Sequence, residues 1–598
     1  MDDYISDHYS RSGIMGSFRV ALTSCFLVAI VGCAEDGTNV EQKTGADLIL
    51  TNARVYTLNW NEPAPDGSLD PSAPNDGGRW SPDAEAVVTE GGDIVYVGKT
   101  KEALTFRGEA TRVVDLAGAT VIPGLVDSHT HVFGLGAALD RVNLVDVATE
   151  EEAVALIVER AKSVPAGEWI VGRGWDEGAW ANRYPDKALL SEAVPDHPVF
   201  MGSLHGFAGW GNQMALDAAG ITAATEVPVG GEMHTGDDGE PNGLFLNRGV
   251  QLLSSAIPES SRETLTNQLL LGLNQMAADG YTAVHDAGLG TRAMDILEEL
   301  EATDRLPIRV YAMLSLRDEP LVRKWIDKGP DTDSDSMLVT RTVKAYYDGA
   351  LGSRGARLLY DYADQPGHRG ISGDSYGFNQ ALNAEAMHAG FQIAIHAIGD
   401  AGNREAIDIL EGVFKENPAT ARNRHRIEHA QVMSPEDIPR LGQLGIIASM
   451  EPPHAMEDKT WAEERLGPDR VVGAYAWRSL REANARLTFN SDNPGSDHNI
   501  FYGLHSAITR QDKNQQPEGG WYADQAMNAD EAVRGYTNWS AYASFRENET
   551  GVLEAGRWAD LTVMDVDPFV LADETPGDIL NGRILMTIVD GNIVYERD

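Results

Sequence analysis

Residues 123–131 read Pro-Gly-Leu-Val-Asp-Ser-His-Thr-His, a short apolar run followed by two histidines two positions apart. Side chains at alternate positions of an extended strand point the same way, so His129 and His131 can reach one cation together. Both cysteines, Cys25 and Cys33, precede this stretch, which excludes thiolate ligands from the rest of the chain. Any metal is therefore bound by histidine, carboxylate or modified lysine.

Apolar strand-like runs alternate with helical segments through the centre of the chain, which is typical of a parallel α/β fold. Eight such runs predict a closed (β/α)8 TIM barrel. They are residues 120–126, 281–285, 309–314, 342–347, 391–396, 424–428, 446–450 and 486–490. The long interval between the first two runs predicts a large insertion after barrel strand 1, at about residues 140–265.

Short β-like pieces flank this region on both sides, and neither set is large enough to form a stable sheet alone. We predict one small β-sandwich domain built from residues 46–121 and 551–598, beside a barrel domain of residues 122–550. Asp590-Gly591 predicts a hairpin turn in the C-terminal part of the small domain.

Three later strands end in further potential metal ligands. His396, His429 and Asp492 each follow an apolar run. The strand ends of a parallel barrel meet at one mouth, where such folds carry their chemistry. We therefore expect these side chains to converge with His129 and His131 on one metal site.

Lys344 is an amine on the apolar fourth run. Burial lowers the pKa of a lysine, and the neutral amine can react with carbon dioxide to give a carbamate whose two oxygens bridge two cations. A salt bridge to Asp348 or to a substrate carboxylate is the alternative interpretation.

With these residues, the chain resembles the amidohydrolase superfamily, in particular the amidohydrolase 3 branch of N-substituted formamide deformylases and YtcJ-like proteins. The resemblance covers about residues 46–598 and is carried by motifs at 123–131, 343–354, 396–400, 425–429 and 491–494. It implies that His129 and His131 bind one metal and that His396 and His429 bind the other. It further implies that a carboxylated Lys344 bridges the metals and that Asp492 is both ligand and general base.

The implied activity is hydrolysis of an amide or N-substituted formamide, a C–N bond other than a peptide bond, by metal-activated water. One or two divalent ions are implied, with zinc expected, although iron, manganese, cobalt or nickel would also suit the ligands. Two alternatives stay open. One is a hydrolase of cyclic amides, lactones or phosphoesters, or a deaminase, on the same fold; the other is a non-catalytic, lipid-tethered binding protein.

The resemblance places His454 in the substrate pocket, as a second catalytic residue beside Asp492. Trp175 and His205, in aromatic and polar clusters of the insertion, are predicted to line the pocket with it. Two departures from the branch occur, Asn490 where glycine is common and Glu451 where glutamine is common. Glu451 adds a carboxylate near the mouth and is predicted to influence substrate preference.

The formal charge of −43 disfavours nucleic acid and anionic lipid as partners; the expected partner is a small-molecule substrate. Residues 1–33 predict a lipoprotein-type signal segment because an apolar run ends at Ile30-Val31-Gly32-Cys33, and translation can start at Met1 or Met15. Cys33 is then the lipidated residue, and residues 34–45 form a tether. We expect an exported protein that is lipid-anchored to a bacterial membrane, periplasmic or at the cell surface. Its oligomeric state stays open, with a homodimer as one option.

Overall fold

A computed structural model describes residues 45–145, 147–175, 180, 184–203, 208–228, 231–333 and 337–597. The predicted signal segment with Cys33, and the predicted tether up to residue 44, lie outside the described residues. His205 also lies outside them.

The centre of the molecule is an eight-stranded parallel barrel surrounded by helices, which confirms the predicted fold class. Each predicted run overlaps one barrel strand. The strands are β1 (Leu125–Thr130), β2 (Tyr281–Leu289), β3 (Arg309–Ser315), β4 (Leu338–Tyr346), β5 (Gln392–Ala397), β6 (Arg426–His429), β7 (Ile447–Met450) and β8 (Arg486–Phe489). All residues of β6 and β7 are buried, as expected for parallel strands covered on both faces.

Neighbouring strands pair in sequence order from β1 to β8. Two hydrogen bonds then connect the last strand region with the first. Ser128 Oγ donates to the Phe489 carbonyl (3.0 Å), and the Asp492 amide donates to the His129 carbonyl (2.9 Å). The second bond brings the loop after β8 against the histidine end of β1.

Residues 120–126 were predicted to form a single barrel strand, and this prediction is wrong. Residues Thr120–Pro123 pair with Leu561–Met564 in the small domain, and the barrel strand begins only at Leu125. The chain changes sheets at Gly124, which follows a proline that has no N–H to donate. A Cβ at Gly124 would lie 2.2 Å from Thr282 Oγ1, so only glycine lets the two sheets approach this closely.

The helices around the barrel follow its strands along the chain. They span Val132–Leu139, Arg262–Ala278, Thr291–Ala302, Glu319–Lys328, Gln380–His388, Asp400–Glu416, Ile438–Leu444, Pro452–Asp458, Ala462–Leu466, Trp477–Glu482, Ile500–Thr509, Ala529–Gly535 and Asn538–Ala543. Single 3-10 turns span Gly373–Tyr376, Thr420–Asn423, Val471–Gly473 and Ala523–Gln525.

Two further sheets lie outside the barrel, and the second of them combines strands from both sides of the barrel sequence. A four-stranded sheet has the order Asp93–Gly98, Ala86–Glu90, Leu48–Thr51, Arg112–Asp115. A five-stranded sheet has the order Arg54–Val55, Thr120–Pro123, Leu561–Met564, Ile584–Val589, Asn592–Glu596. Short helical segments, Thr100–Ala103, Leu104–Phe106, Pro568–Glu574 and Pro576–Asn581, and the hairpin Asn75–Asp76 with Arg79–Trp80, accompany them.

The C-terminal strands of this region contain the expected hairpin turn, with φ of 52° at Asp590 and 72° at Gly591. A buried ion pair then connects these sheets with the barrel, because Arg309 Nε on β3 lies 2.8 Å from Asp560 Oδ2. The Arg309 guanidinium also lies 3.8 Å from the centre of the Trp558 ring.

The interval between β1 and β2 contains a six-stranded sheet of its own. Its order is Val142–Asn143, Ile170–Trp175, Val199–Ser203, Ala208–Gly211, Pro241–Asn247, Gly231–Thr235, with helices Glu150–Ala161, Lys187–Ala193, Gln213–Ala219 and Val250–Ser254. Within the part of the chain that the structure describes, no helix combines the length and the apolar character needed to cross a membrane.

Candidate metal centre

The C-terminal ends of the barrel strands bring the predicted ligands together. Asp492 lies between two of them, with Oδ1 3.2 Å from His131 Nε2 and 3.6 Å from His129 Nε2. Lys344 Nζ lies 3.0 Å from His129 Nε2. These separations suit neighbouring ligands around one cation, since metal–nitrogen and metal–oxygen distances are about 2.0–2.2 Å.

A second group of three ligands shares Asp492. One ligand atom from each of His429, His454 and Asp492 lies within 4.8 Å of the other two. The sequence predicted His396 beside His429. The structure does bring their rings together, with centroids 4.6 Å apart, but the His396 Nε2 atom lies 3.7 Å from Asp348 Oδ1. His454 therefore joins the second group, and His396 lies next to it.

Several buried polar atoms of the centre are without a hydrogen-bond partner among the described residues, namely His396 Nε2, His429 Nδ1, His454 Nδ1 and Glu451 Oε1. The His429 and Glu451 atoms are 3.2 Å apart, which is within ion-pair distance. Buried nitrogen and carboxylate atoms are costly to leave unsatisfied. The donor set therefore fits a bound divalent cation.

Two ligands of the centre have a backbone conformation that is uncommon for residues other than glycine. His429 has φ of 74° and Asp492 has φ of 51°. Such left-handed conformations persist only where the surrounding structure enforces them, and they are concentrated at functional sites.

Lys344 has surroundings that differ from those of an ordinary lysine. It is 1% exposed, and burial lowers its pKa to about 8. Asp348, the alternative partner considered from the sequence, accepts instead from the backbone N–H groups of Arg357, Ile398 and Gly399 at 2.8–2.9 Å. The structure thus excludes the Lys344–Asp348 salt bridge, and the amine faces His129.

Burial and neighbouring charges set the protonation of the ligands. Burial, assisted by the Lys344 charge, lowers the pKa of His129 to about 4, so its imidazole is neutral and able to bind a metal. Burial alone would raise the pKa of Asp492, but the hydrogen bond from His131 and the nearby imidazoles hold it well below its usual value. Asp492 is therefore an ionised carboxylate.

A buried ion pair orients His129. Its Nδ1 contacts Glu428 Oε2, and Arg426 binds the same carboxylate with Nε at 2.8 Å from Oε1 and Nη2 at 3.0 Å from Oε2. Arg426 also donates to the Ser128 carbonyl (2.6 Å) and to His285 Nδ1 (3.0 Å). Because Nδ1 contacts the carboxylate, Nε2 of His129 is left to face Asp492 and Lys344.

Arg426 and Glu428 were not among the residues predicted for the site. The available signal was the alternation of Arg426 and Glu428 in a strand that is otherwise apolar, because alternate residues of a barrel strand share the interior face.

A family model described as "Amidohydrolase family" matches residues 112–595, which is most of the chain and includes every residue of this centre. The chain belongs to the amidohydrolase family. This confirms the resemblance drawn from the motifs.

Three curated relatives extend over nearly the same length as this amidohydrolase. Protein LONG AFTER FAR-RED 3 of Arabidopsis thaliana is 30% identical and covers 92% of each chain. Putative amidohydrolase YtcJ of Bacillus subtilis (strain 168) is 29% identical over 86% of this chain and 96% of its own. N-substituted formamide deformylase of Arthrobacter pascens is 29% identical over 86% of this chain and 95% of its own.

A solved structure supports the fold. An uncharacterized metal-dependent hydrolase from Pyrococcus horikoshii OT3 superposes with a TM-score of 0.67 and 24% identity, over 88% of this chain and 99% of the other.

Of the predicted substrate contacts, His454 and Glu451 lie at the metal centre of this amidohydrolase. His454 Nδ1 is 3.5 Å from Glu451 Oε2. Trp175 does not belong there, because it is fully buried in the core of the inserted sheet and its Nε1 donates to the Met201 carbonyl at 3.0 Å. The structure therefore corrects its predicted role to packing.

Proposed function

We propose that this amidohydrolase cleaves an amide or N-substituted formamide C–N bond other than a peptide bond, with one or two divalent ions. The observation that carries the proposal is the position of Asp492, whose Oδ1 lies within 3.6 Å of two imidazole nitrogens, those of His129 on β1 and His131 directly after it. An ionised carboxylate in that position can act both as a metal ligand and as a proton acceptor.

The residues that would hold the ions are His129, His131, Lys344, His396, His429 and Asp492. Histidine and oxygen donors favour zinc. When bound, the ions supply Lewis-acid activation of a water molecule and of the substrate carbonyl. In the rest of the reaction, the protein side chains bind the substrate, orient it and transfer protons.

Lys344 is proposed to be carboxylated. Its neutral amine attacks carbon dioxide, a new bond forms between Nζ and carbon, and the nitrogen releases one proton. The product is a carbamate with two oxygens. The position of the amine, 3.0 Å from His129 Nε2, supports this proposal, as does its lowered pKa of about 8.

Asp492 is proposed to be the general base. It accepts a proton from the attacking water and delivers a proton to the departing amine nitrogen, so that the C–N bond breaks with a neutral amine as leaving group. His454, three residues from Glu451, is proposed to bind the substrate carbonyl oxygen by N–H donation. The similarity to the N-substituted formamide deformylase supports the choice of bond.

The test is hydrolysis of N-formyl and N-acetyl amines by the zinc-loaded protein and by Asp492→Asn. We expect turnover by the wild type and a kcat about 10²–10⁴-fold lower in the variant, because the proton acceptor is lost. Asp408→Asn, a change at an exposed carboxylate of helix Asp400–Glu416, is the control. Hydrolysis that is equal in wild type and D492N would contradict the proposed mechanism.

A further inference from the structure

An arginine that forms no ion pair with the described residues lies at the mouth of the barrel. Arg317 follows β3 by two residues, and its guanidinium carbon lies 4.2 Å from the centre of the Tyr346 ring. The Tyr376 ring, in the loop after β4, is 5.8 Å away. Arg317 is exposed, and it forms no ion pair or side-chain hydrogen bond with the described residues.

The Tyr346 ring connects Arg317 with the metal centre. Lys344 Nζ lies 4.8 Å from the centre of this ring, and the His396 ring centroid lies 6.0 Å from it. The hydroxyl reaches the end of β2, where a Cβ added to Gly288 would be 2.4 Å from the hydroxyl oxygen. Tyr346 thus extends across the mouth from β4 to β2, with the guanidinium and the metal centre both beside it.

Two carboxylates that follow β3 and β4 in the sequence, those of Asp318 and Asp364, have other partners. Asp318 accepts from the Thr291 amide (2.9 Å) and the Leu321 amide (3.2 Å) to cap helix Glu319–Lys328. Asp364, in the loop after β4, binds both Arg354 and Arg465. Acidic residues are in large excess in a chain of net charge −43, so scarcity of acids does not explain the unpaired guanidinium.

We propose that Arg317 binds a carboxylate group of the substrate, which makes N-acylated amino acids, rather than simple N-acylated amines, the substrate class. This proposal rests on the proposed hydrolase function. Stacking on Tyr346 restricts the guanidinium plane and leaves its N–H donors available for a bidentate contact. One guanidinium matches a single negative charge, which favours a carboxylate over a doubly charged phosphate.

The test compares N-formyl-leucine with N-formyl-3-methylbutylamine, two compounds that differ only in the carboxylate. Zinc-loaded wild type is expected to prefer N-formyl-leucine. Arg317→Met should lower kcat/KM for N-formyl-leucine by about 10- to 100-fold, mainly by raising KM. The kcat/KM for N-formyl-3-methylbutylamine should change by less than about 2-fold. Arg317→Lys retains the positive charge but lacks the planar guanidinium. Its kcat/KM for N-formyl-leucine should therefore lie between those of the wild type and Arg317→Met.

Lys328→Met is the matched control, because Lys328 Nζ also lies over an aromatic ring, that of Trp325 at 3.8 Å, but on a helix of the outer layer. Lys328→Met should leave kcat/KM unchanged for both substrates. Equal effects of R317M on the two substrates, or no effect on either, would overturn the role of Arg317.

Calorimetric binding of N-formyl-leucine separates this proposal from the proposed function. If neither compound is hydrolysed, the hydrolase proposal fails, but binding to wild type that is about 10-fold or more tighter than to R317M still supports the carboxylate site. If N-formyl-leucine binds wild type and R317M equally tightly, the proposed carboxylate site at Arg317 is overturned.

Discussion

Glu428 shows how one side chain controls the candidate metal centre without being one of its proposed ligands. It contacts Nδ1 of His129, and Arg426 holds it in place. We predict that Glu428→Gln weakens zinc binding by about 10- to 100-fold, because the carboxylate that fixes the orientation of His129 is lost. The Kd from competition with a chelator, measured on folded protein, checks this.

The same variant leaves Arg426 buried without a counter-ion, so the free energy of unfolding should also fall by about 3–5 kcal/mol. Glu436→Gln is the control, because it removes an exposed carboxylate that pairs with Arg404. It should change neither the zinc Kd nor the free energy of unfolding. An unaltered zinc Kd in E428Q would show that Glu428 does not orient the ligand.

Much of the candidate centre was predictable because strand ends converge in a parallel barrel. His129, His131, Lys344, His429 and Asp492 all lie at one mouth, as their positions after apolar runs indicated. The membership of His454 in the second group was not predictable in the same way, because it depends on the direction of a short helix, Pro452–Asp458. Trp175 was misassigned because a tryptophan beside a strand has the same sequence signal whether it packs or binds.

At the scale of elements, Gly124 determines where the small domain ends and the barrel begins. Gly124→Ala would place a Cβ 2.2 Å from Thr282 Oγ1 and 2.7 Å from its Cγ2. We predict a loss of about 1–3 kcal/mol in the free energy of unfolding, because the strands on both sides are fixed in their sheets. Chemical denaturation checks this.

Gly412→Ala is the control, since nothing lies within 4 Å of an added Cβ there and the residue is inside helix Asp400–Glu416. It should stabilise the protein by up to about 1 kcal/mol. The double variant G124A/T282A should regain part of the lost stability; if it does not, the contact with Thr282 is not the cause.

The eight strands could be predicted because buried parallel strands form continuous apolar runs, and the hairpin turn because Asp590-Gly591 favours positive φ. The change of sheet inside residues 120–126 could not be predicted. Pro123-Gly124 is compatible with a continuous extended segment, and only the pairing of Thr120–Pro123 with Leu561–Met564, far apart in the sequence, shows the change of sheet.

At the scale of the whole molecule, we propose that the enzyme is exported and held at a membrane by lipid on Cys33. Cys33→Ser should move the protein from the membrane fraction to the soluble fraction, because acyl chains would provide the membrane affinity. Cys25→Ser, eight residues earlier in the same apolar region, should stay in the membrane fraction. Fractionation with immunoblotting checks both, and membrane retention of C33S would exclude lipidation at this cysteine.

We propose that side chains from separate barrel segments enclose a divalent cation around Asp492. Anomalous diffraction from crystals of the zinc-loaded protein, collected at the zinc edge, tests it directly. We predict a peak about 2.0–2.2 Å from Asp492 and from nitrogen atoms of His129 and His131. Zinc peaks confined to other parts of the molecule, with His129, His131 and Asp492 in contact only with each other, would show that these residues do not form a metal site.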